Sequence, residues 1–576
     1  MSRTFRIVLK RYFTNAFKKD LMAGLTVGVI SLPLAMAFAI ASGVNPEYGI
    51  YTTIIAACLA TIFGGSRYQV TGPTGAFIPV LLSIVLTYGY ENLLIAGLLS
   101  GVILVLMGLL KLGSLIKYIP RPVTIGFTAG IAVNIFIGQV PNFLGLSGLA
   151  RHEGFIDNLH EIITHLATFN IYSAATAALS LFIILLTPRF LPKVPGSLLG
   201  ILASTLTAAF FYPGEVSTIS STFGGLPSTL PLFQLPSLSA ETFQHLLRPA
   251  FAIAFLGAIE SLLSAVVADG MTGTHHNSNR ELIGQGIANI VTPLFGGIPA
   301  TGAIARTATN IKTGAVTRVS VLISAFFVLA TMLLLASYAG SIPLASMAPV
   351  LMIVAYNMSE HHAFLAILKT RSHSAGVLVV TFLLTVLTDL TIAVEFGLLL
   401  AMIIFVKRMS DILVVNRVLP DQENHLVNVA DEKEPVDTHD CPQISIFSVE
   451  GPLFFGAAQM FSQTLMDTIH YYPKVIILRM SKVPFIDLTG EQHLRIIIQD
   501  LRKRGTLVLI AGLNIQAERL MKKTGLYDMI GAHHYFRHTC DAIAHAANHI
   551  DKSACRNCQK DLSKHCLAEE QIEQIS

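Results

Sequence analysis

The chain has 576 residues, 53% of them hydrophobic and only 13% charged. A soluble domain carries about 25% charged residues, and single cores stop growing at about 250–300 residues, so one large water-soluble globule is excluded. The net charge of +4 is small and gathers at the borders of apolar segments, which gives no support to a nucleic-acid partner.

Residues 1–20 carry Arg3, Arg6, Lys10, Arg11, Lys18 and Lys19 and read as a basic amphipathic segment on the cytoplasmic side of a membrane. The apolar run that follows is too long for a signal peptide and has no A-x-A cleavage pattern. Positive charge holds this end inside. Residues 21–408 are apolar, broken by Gly, Pro and short polar loops. Pro122–Ala150 and Val319–Ser359 contain no Asp, Glu, Lys or Arg, and uncharged apolar runs of about 18 or more residues read as spanning helices. Fourteen segments are predicted, near 21–43, 48–64, 75–89, 93–110, 122–145, 171–187, 195–213, 249–268, 282–296, 302–311, 319–339, 342–358, 375–388 and 391–406. Lys407 and Arg408 form a stop-transfer pair. An acidic linker over 409–442 follows, with Asp431, Glu432, Glu434, Asp437 and Asp440.

A weak internal repeat runs through the membrane region. Phe63-Gly64-Gly65 recurs as Phe295-Gly296-Gly297, and Thr74-Gly75-Ala76 recurs as Thr301-Gly302-Ala303, with Pro73 and Pro299 shortly before. Short Gly/Pro-interrupted segments at matching places in two halves point to a binding site between discontinuous helices. A half-helix that begins inside the membrane presents free N–H groups and the positive end of its dipole, which suits an anion. Thr74 and Thr301 are placed to cap such helices or to offer hydroxyls. The same residues also admit a simpler reading, in which Gly and Pro only kink packed helices.

Two charges fall inside spans. Glu260 has no charged neighbour from Pro249 to Ala268, and Arg306 lies four residues past Gly302. Mid-membrane charges are costly and default to function. Arg306 would add positive field at the second half-helix. Glu260 could bind a co-transported cation or accept a proton. A Glu260–Arg306 ion pair is the structural alternative. Asp389 and Glu395 are expected at a loop or helix end, and His275 and His276 in a hydrophilic loop rather than at a metal.

From Ile444 strands and helices alternate: strands at Ile444–Val449, Lys474–Met480 and Thr506–Leu513, helices at Ala457–Tyr471, Thr489–Arg504 and Ala517–Gly525. That order implies a βαβ sheet over residues 443–548. No phosphate-binding glycine motif follows a strand. Residues 549–576 form a polar tail with Cys555, Cys558, His565 and Cys566, whose side chains suit zinc but whose setting reads as a free tail. Five of the six cysteines follow the membrane region, where a cytoplasmic location makes disulfides unexpected.

Together these residues resemble the sulfate permease family. The stretch ISLPLAMAFAIASGVNPEYGIYT is similar to the family's first-span signature, with Leu34 for the usual Gln and Phe38 for the usual Tyr. GPTGAF (72–77), GAIESLLSAVVAD (257–269) and GGIPATGAIARTATNIKTGA (296–315) are similar to its third, eighth and tenth spans. The resemblance implies an α-helical membrane protein with 14 spans in two inverted halves of seven, including two broken helices. A core domain would move against a gate domain in an elevator-like step. Substrate would lie among Pro33, Phe38, Thr74, Gly75, Ala76, Thr301, Gly302, Ala303, Ala305 and Arg306. Glu260, with Ser264, matches the position that serves cation coupling. In the sodium-coupled bicarbonate branch the matching residues are Asp, Thr and a further Thr, here Glu260, Ser264 and Ile304. Loss of an oxygen donor at Ile304 disfavours a hard cation, so the proton is the expected coupling ion and sodium the alternative, with no other cofactor. The nearest branch is the bacterial dicarboxylate one. The soluble part resembles a STAS domain. Its phosphorylatable serine would lie in Asp487-Leu488-Thr489-Gly490, where Thr489 is displaced by one position.

The expectation is therefore a bacterial inner-membrane secondary transporter of C4-dicarboxylates or related small anions. It would sit in lipid as a homodimer, with its N-terminus and STAS domain cytoplasmic and a possible protein partner for the latter. Sodium-coupled bicarbonate or sulfate transport is the alternative within that class. A membrane-anchored signalling protein is the rival outside it. No nucleophile–base constellation supports an enzyme.

Overall fold

The computed structural model describes residues 16–551 except 115–119, 151, 153, 192–193, 237–239, 389, 418–442 and 469–472. The chain divides into two compact units, residues 1–401 and 402–576. The basic residues Arg3 to Arg11, Asp389, the acidic residues 431–440, Cys441 and the Cys/His tail lie outside the described residues, and Glu395 falls within a helix.

Each of the fourteen apolar segments is helical. They are α1 (Phe17–Ala41), α2 (Pro46–Phe63), α3 (Ile78–Tyr88), α4 (Tyr90–Leu109), α5 (Arg121–Gly138), then, after an amphipathic α6 (Phe155–Thr164), α7 (Ile171–Phe190), α8 (Gly196–Phe211), α9 (Ala240–Thr272), α10 (Ser278–Val291), α11 (Ile304–Lys312), α12 (Val319–Ala339) and α13 (Leu344–Met358). A second amphipathic helix, α14 (His361–Lys369), precedes α15 (His373–Leu387) and α16 (Leu390–Asp411). The first helix starts at Phe17, so residues 17–20 belong to it and not to a separate surface segment. Asp20 is fully buried there, and its carboxylate accepts from the Val316 and Thr317 backbone N–H groups at 2.7 and 3.0 Å.

Packing is two-fold in pattern. Helix α4 packs on α9 and α10, as α12 packs on α1 and α2; α5 packs on α15, as α13 packs on α7. These pairings exchange helices one to seven for helices eight to fourteen, which is what two inverted halves require. Small residues make the close approaches. A Cβ on Gly101 would lie 2.7 Å from the Gly286 carbonyl oxygen, and one on Gly286 would lie 2.7 Å from that of Gly101. Lipid gives apolar side chains no reason to prefer each other over acyl chains, so backbone proximity through glycine supplies the contact energy. Two bundles result. One holds α1–α4 and α9–α12, and the other is built around α5, α7, α8, α13 and α15.

Where the internal repeat was read, two short strands meet. β1 (Thr71–Gly72) pairs antiparallel with β2 (Thr301–Gly302), Thr71 opposite Gly302 and Gly72 opposite Thr301. The structural counterpart of Thr301-Gly302 is thus Thr71-Gly72, not Thr74-Gly75. The sequence holds two Thr-Gly pairs in this stretch, and only the hydrogen-bond register distinguishes them.

The second unit has a five-stranded sheet ordered β3 (Val414–Arg417), β4 (Ile444–Glu450), β5 (Val475–Lys482), β6 (Leu507–Ala511) and β7 (Tyr535–Phe536). Only the β3–β4 pair is antiparallel. Helices α17 (Ala458–Thr468), α18 (Leu488–Lys503) and α19 (Ile515–Thr524) cover one face and α20 (Thr539–Ala546) the other. The linker expected over 409–442 is corrected at its start, because β3 already belongs to the sheet. Four residues are too few to show strand periodicity in sequence. Thr489 stands in the first turn of α18, capped by Asp487, whose carboxylate accepts from the Gly490 and Phe455 N–H groups at 2.7 and 3.0 Å.

Candidate anion and coupling site

The site grows from the two interrupted helices. After β1 the chain extends through Thr74 (φ −130°, ψ 157°), makes one 3₁₀ turn at Gly75–Phe77 and enters α3. After β2, Ala303 (φ −93°, ψ 109°) is the N-cap of α11. Neither start receives a side-chain cap, so the first N–H groups of each half-helix are left for other partners. Thr301 is not a cap. Its hydroxyl lies 2.8 Å from the Ser261 hydroxyl and donates to the Gly257 carbonyl at 3.1 Å. The Thr74 hydroxyl is buried without a partner.

Arg306 is 3% exposed. Its Nη2 donates to the Pro73 carbonyl, while Nη1 is buried with no partner. The guanidinium lies over Gly72, where a Cβ would come within 2.8 Å of Nη1. A glycine is needed there for the cation to reach the start of the first half-helix. Glu260 is buried and makes no ion pair with Arg306 and no hydrogen bond among the described residues. Ser264, one turn on, donates to the Thr307 hydroxyl at 3.1 Å.

The apolar wall comes from α1, α5 and α13. Pro33 is buried inside α1 and removes one backbone hydrogen bond there. Phe38 (4% exposed) packs in one cluster with Leu34, Ala76 and Ile135. A Cβ on Gly75 would lie 3.0 Å from the Met358 Sδ, 3.3 Å from Ile135 Cδ1 and 3.6 Å from Phe38 Cε1. The tip of the first half-helix therefore meets the second bundle directly. Ala305 sits in the first turn of α11, beside Arg306. A separate cavity of about 510 Å³ is lined by Ile40, Ile78, Asn134, Gln139, Ser173 and Leu344, and none of the residues expected to bind substrate lines it.

Sequence reading missed the polar frame that holds the loop between α2 and β1. Glu281 (2% exposed) accepts from the Gly65 and Ser66 N–H groups at 2.8 and 2.9 Å and from Gln285 at 2.9 Å. Gln285 also donates to the Thr71 hydroxyl at 2.7 Å. Asn289 donates to the Ala300 carbonyl at 2.8 Å and accepts from the Ala300 N–H at 2.7 Å. Thr307 accepts from the Val70 N–H at 3.0 Å, and Asn310 donates to the Tyr68 carbonyl at 3.0 Å. The signal was legible: Glu281, Gln285 and Asn289 recur every four residues, a polar stripe that runs along one face of α10 beyond its polar first turn. Among the remaining histidines, His276 lies 2.6 Å from the Asp269 carboxylate through Nδ1, a clasp within its loop.

Comparison with known proteins bears on the family and the fold. The chain is 49% identical over 529 residues to "Putative sulfate transporter YvdB" of Bacillus subtilis, covering 92% of this chain and 98% of that protein. It is 30% identical over 539 residues to "Bicarbonate transporter BicA" of Picosynechococcus, covering 91% and 94%. In three dimensions it superposes on "The overall structure of SLC26A9" with a TM-score of 0.81 at 18% identity, over 94% of this chain and 92% of that one. A STAS domain is matched at residues 436–544. The model of the sulfate permease family matches residues 17–381, the whole stretch that builds the two half-helices and their frame, and the chain belongs to that family.

Proposed function

We propose that the protein is a secondary active transporter that takes up C4-dicarboxylates or related small anions with protons. It is a multi-pass membrane transporter, not an enzyme. One observation carries the anion reading. Two uncapped half-helices start at a shared strand pair, beside a buried arginine with one terminal nitrogen unpartnered. Free N–H groups, two dipole ends and a guanidinium all favour negative charge.

Glu260 serves as the proton-accepting group, with Ser264 on the same face of α9. The bundle carrying both half-helices moves against the other, across the Gly75, Phe38, Ile135 and Met358 contact, to expose the site alternately. The basic N-terminus and the STAS domain face the cytoplasm of a bacterial plasma membrane. The protein acts as a homodimer, and the STAS domain supports assembly or receives a regulatory protein.

The names of the relatives favour a second reading for the substrate, sulfate or bicarbonate. Uptake of labelled succinate, sulfate and bicarbonate into proteoliposomes under an imposed proton or sodium gradient decides between them. Succinate uptake driven by a proton gradient supports the first reading. Uptake of sulfate or bicarbonate alone transfers the same site to the second. Absence of all three leaves a membrane-anchored STAS protein.

A further inference from the structure

Gln69 stands apart from every other polar residue of the frame. It is 6% exposed, and both its amide nitrogen and its amide oxygen are buried without a hydrogen-bond partner. Its neighbours in the chain are pinned: the Tyr68 carbonyl by Asn310 and the Val70 N–H by Thr307. The backbone is thus fixed, while an amide with one acceptor and two donors is left unmatched. That costs about 1–3 kcal/mol for each unsatisfied group. Exchanging O and N of the amide does not remove the cost, since neither has a partner.

The amide lies against α9. The Gln69 amide and the Cα of Ser261 both fall within 3.1 Å of the point that a Cβ on Gly302 would occupy. Ser261 accepts from the Gly302 N–H at 3.0 Å. Ser264 reaches Thr307, whose oxygen also accepts from the N–H of residue 70. Residues four apart share a helix face, so the face of α9 that bears Ser264 and Glu260 is turned toward the segment bearing Gln69. Glu260 is itself buried and unbonded. The Gln69 carboxamide and Ser261 meet at one glycine, Gly302, and Glu260, the residue before Ser261 on α9, carries an unbonded carboxyl of complementary chemistry.

We propose that Gln69 is the partner of protonated Glu260 and a specificity-determining residue for the coupling ion. When the Glu260 carboxylate takes up a proton, the new O–H donates to the Gln69 amide oxygen, and the Gln69 N–H donates to the other carboxyl oxygen. The two bonds form together only with the acid: a bare carboxylate still accepts from the Gln69 N–H but offers no donor, so the buried amide oxygen stays unmatched. The pair thereby rewards proton uptake. A metal cation at the carboxylate would draw the amide oxygen toward it and leave the two buried N–H donors unmatched. This inference rests on the reading of Glu260 as the proton-accepting group.

The charged and titratable groups around α9 are few. From α11 come Arg306, committed to Pro73, and the exposed Lys312 at its last residue; from α10, the exposed Arg280, which donates to the Phe63 carbonyl, and Glu281, committed to Gly65, Ser66 and Gln285. From α4 come Tyr90, bonded to Gly296, and the exposed Glu91 at its first turn; from α3, only Tyr88 at its last residue. The 75–77 turn and β2 bring none. On α9 itself Asp269 is engaged by His276, and His245 and Arg248 lie three turns or more before Glu260.

The test is the pH profile of gradient-driven uptake in proteoliposomes, measured beside anion exchange at equal pH on both sides. Gln69→Met keeps the length and removes both hydrogen-bonding groups. It shifts the pH of half-maximal uptake about one unit to acid and leaves exchange within twofold. Gln69→Asn, one methylene shorter, keeps the amide and falls between. An unmoved midpoint in Gln69→Met overturns the proposal, as does an equal loss of uptake and exchange, which marks a packing role. If the unaltered protein shows no proton-driven uptake, the reading of Glu260 fails first. If it is proton-driven and Glu260→Gln uncouples it while Gln69→Met does nothing, only the present inference fails.

Discussion

Thr71 stands directly opposite Gly302 in the two-stranded ladder that joins the halves of the membrane unit. The pairing places residues 231 positions apart in backbone contact at the point where both half-helices begin. An antiparallel ladder between inverted halves satisfies peptide groups that would otherwise be stranded inside a bilayer. It also fixes which side chains meet there: Arg306 over Gly72, Gln69 against Gly302.

Arg306→Ala removes the one cationic side chain that, among the described residues, is placed at the start of the first half-helix. Hydrogen bonds to charged groups are worth about 1.5–3 kcal/mol, so the anion KM is expected to rise about 10-fold or more. Arg306→Lys recovers part of this, since the charge returns without the planar fork. Uptake kinetics measure it, and an unchanged KM would remove Arg306 from the site.

Glu260→Gln keeps the shape and removes the proposed proton acceptor. Gradient-driven uptake is lost, while exchange of internal for external anion continues. Uptake that stays fully pH-driven in this variant shows that coupling lies elsewhere.

Gly75→Val places branches where Met358, Ile135 and Phe38 already stand at 3.0 to 3.6 Å from the first added carbon. Uptake and exchange are both expected to fall to background with normal membrane insertion. Near-normal exchange would mean that the half-helix tip does not slide along this contact.

Glu281→Gln weakens the acceptor for the Gly65 and Ser66 N–H groups and is expected to cost about 1–3 kcal/mol of stability. Thermal unfolding in detergent reads this as a lower Tm, together with a similar reduction for every transported anion. A change of anion preference would instead place Glu281 at the substrate.

In the second unit the His545 imidazole sits below the ordinary histidine range, first through burial and then through His549, His534 and His533. Its ring lies 4.7 Å from that of His549 and 6.1 Å from that of His534. A depressed value means that the folded state binds fewer protons than the unfolded chain. The stability this packing contributes is present above about pH 6.5 and is lost as pH falls through the folded value. Hydrogen exchange across Thr539–Ala546 in the whole chain, corrected for intrinsic rates, should quicken on acidification, and His545→Gln should abolish the difference. Equal exchange at pH 7.5 and 5.5 would dismiss it.

The longer membrane helices were legible because a spanning segment must be long and mostly apolar whatever it packs against, and the short half-helices α3 and α11 through the Gly/Pro repeat that opens them. The strand–helix alternation after Ile444 was legible because buried parallel strands are continuous apolar runs. Glu260 and Arg306 announced themselves as charges in apolar surroundings. The polar frame was less visible, since Glu281, Gln285 and Asn289 differ from ordinary loop-edge residues only in their spacing. Gln69 gave no signal at all, being one amide in a short polar loop.

The sequence by itself determined the class of protein, the order of its helices and the two places where helices break, because each follows from local hydrophobicity and from Gly and Pro. Only the tertiary structure decided which Thr-Gly pair faces which, that Glu260 and Arg306 are not bonded to each other, and that an unmatched amide lies against Gly302 and Ser261. Those are relations between residues far apart in the chain, set by the register of four backbone residues and by how closely glycines let helices approach, and no local pattern encodes them.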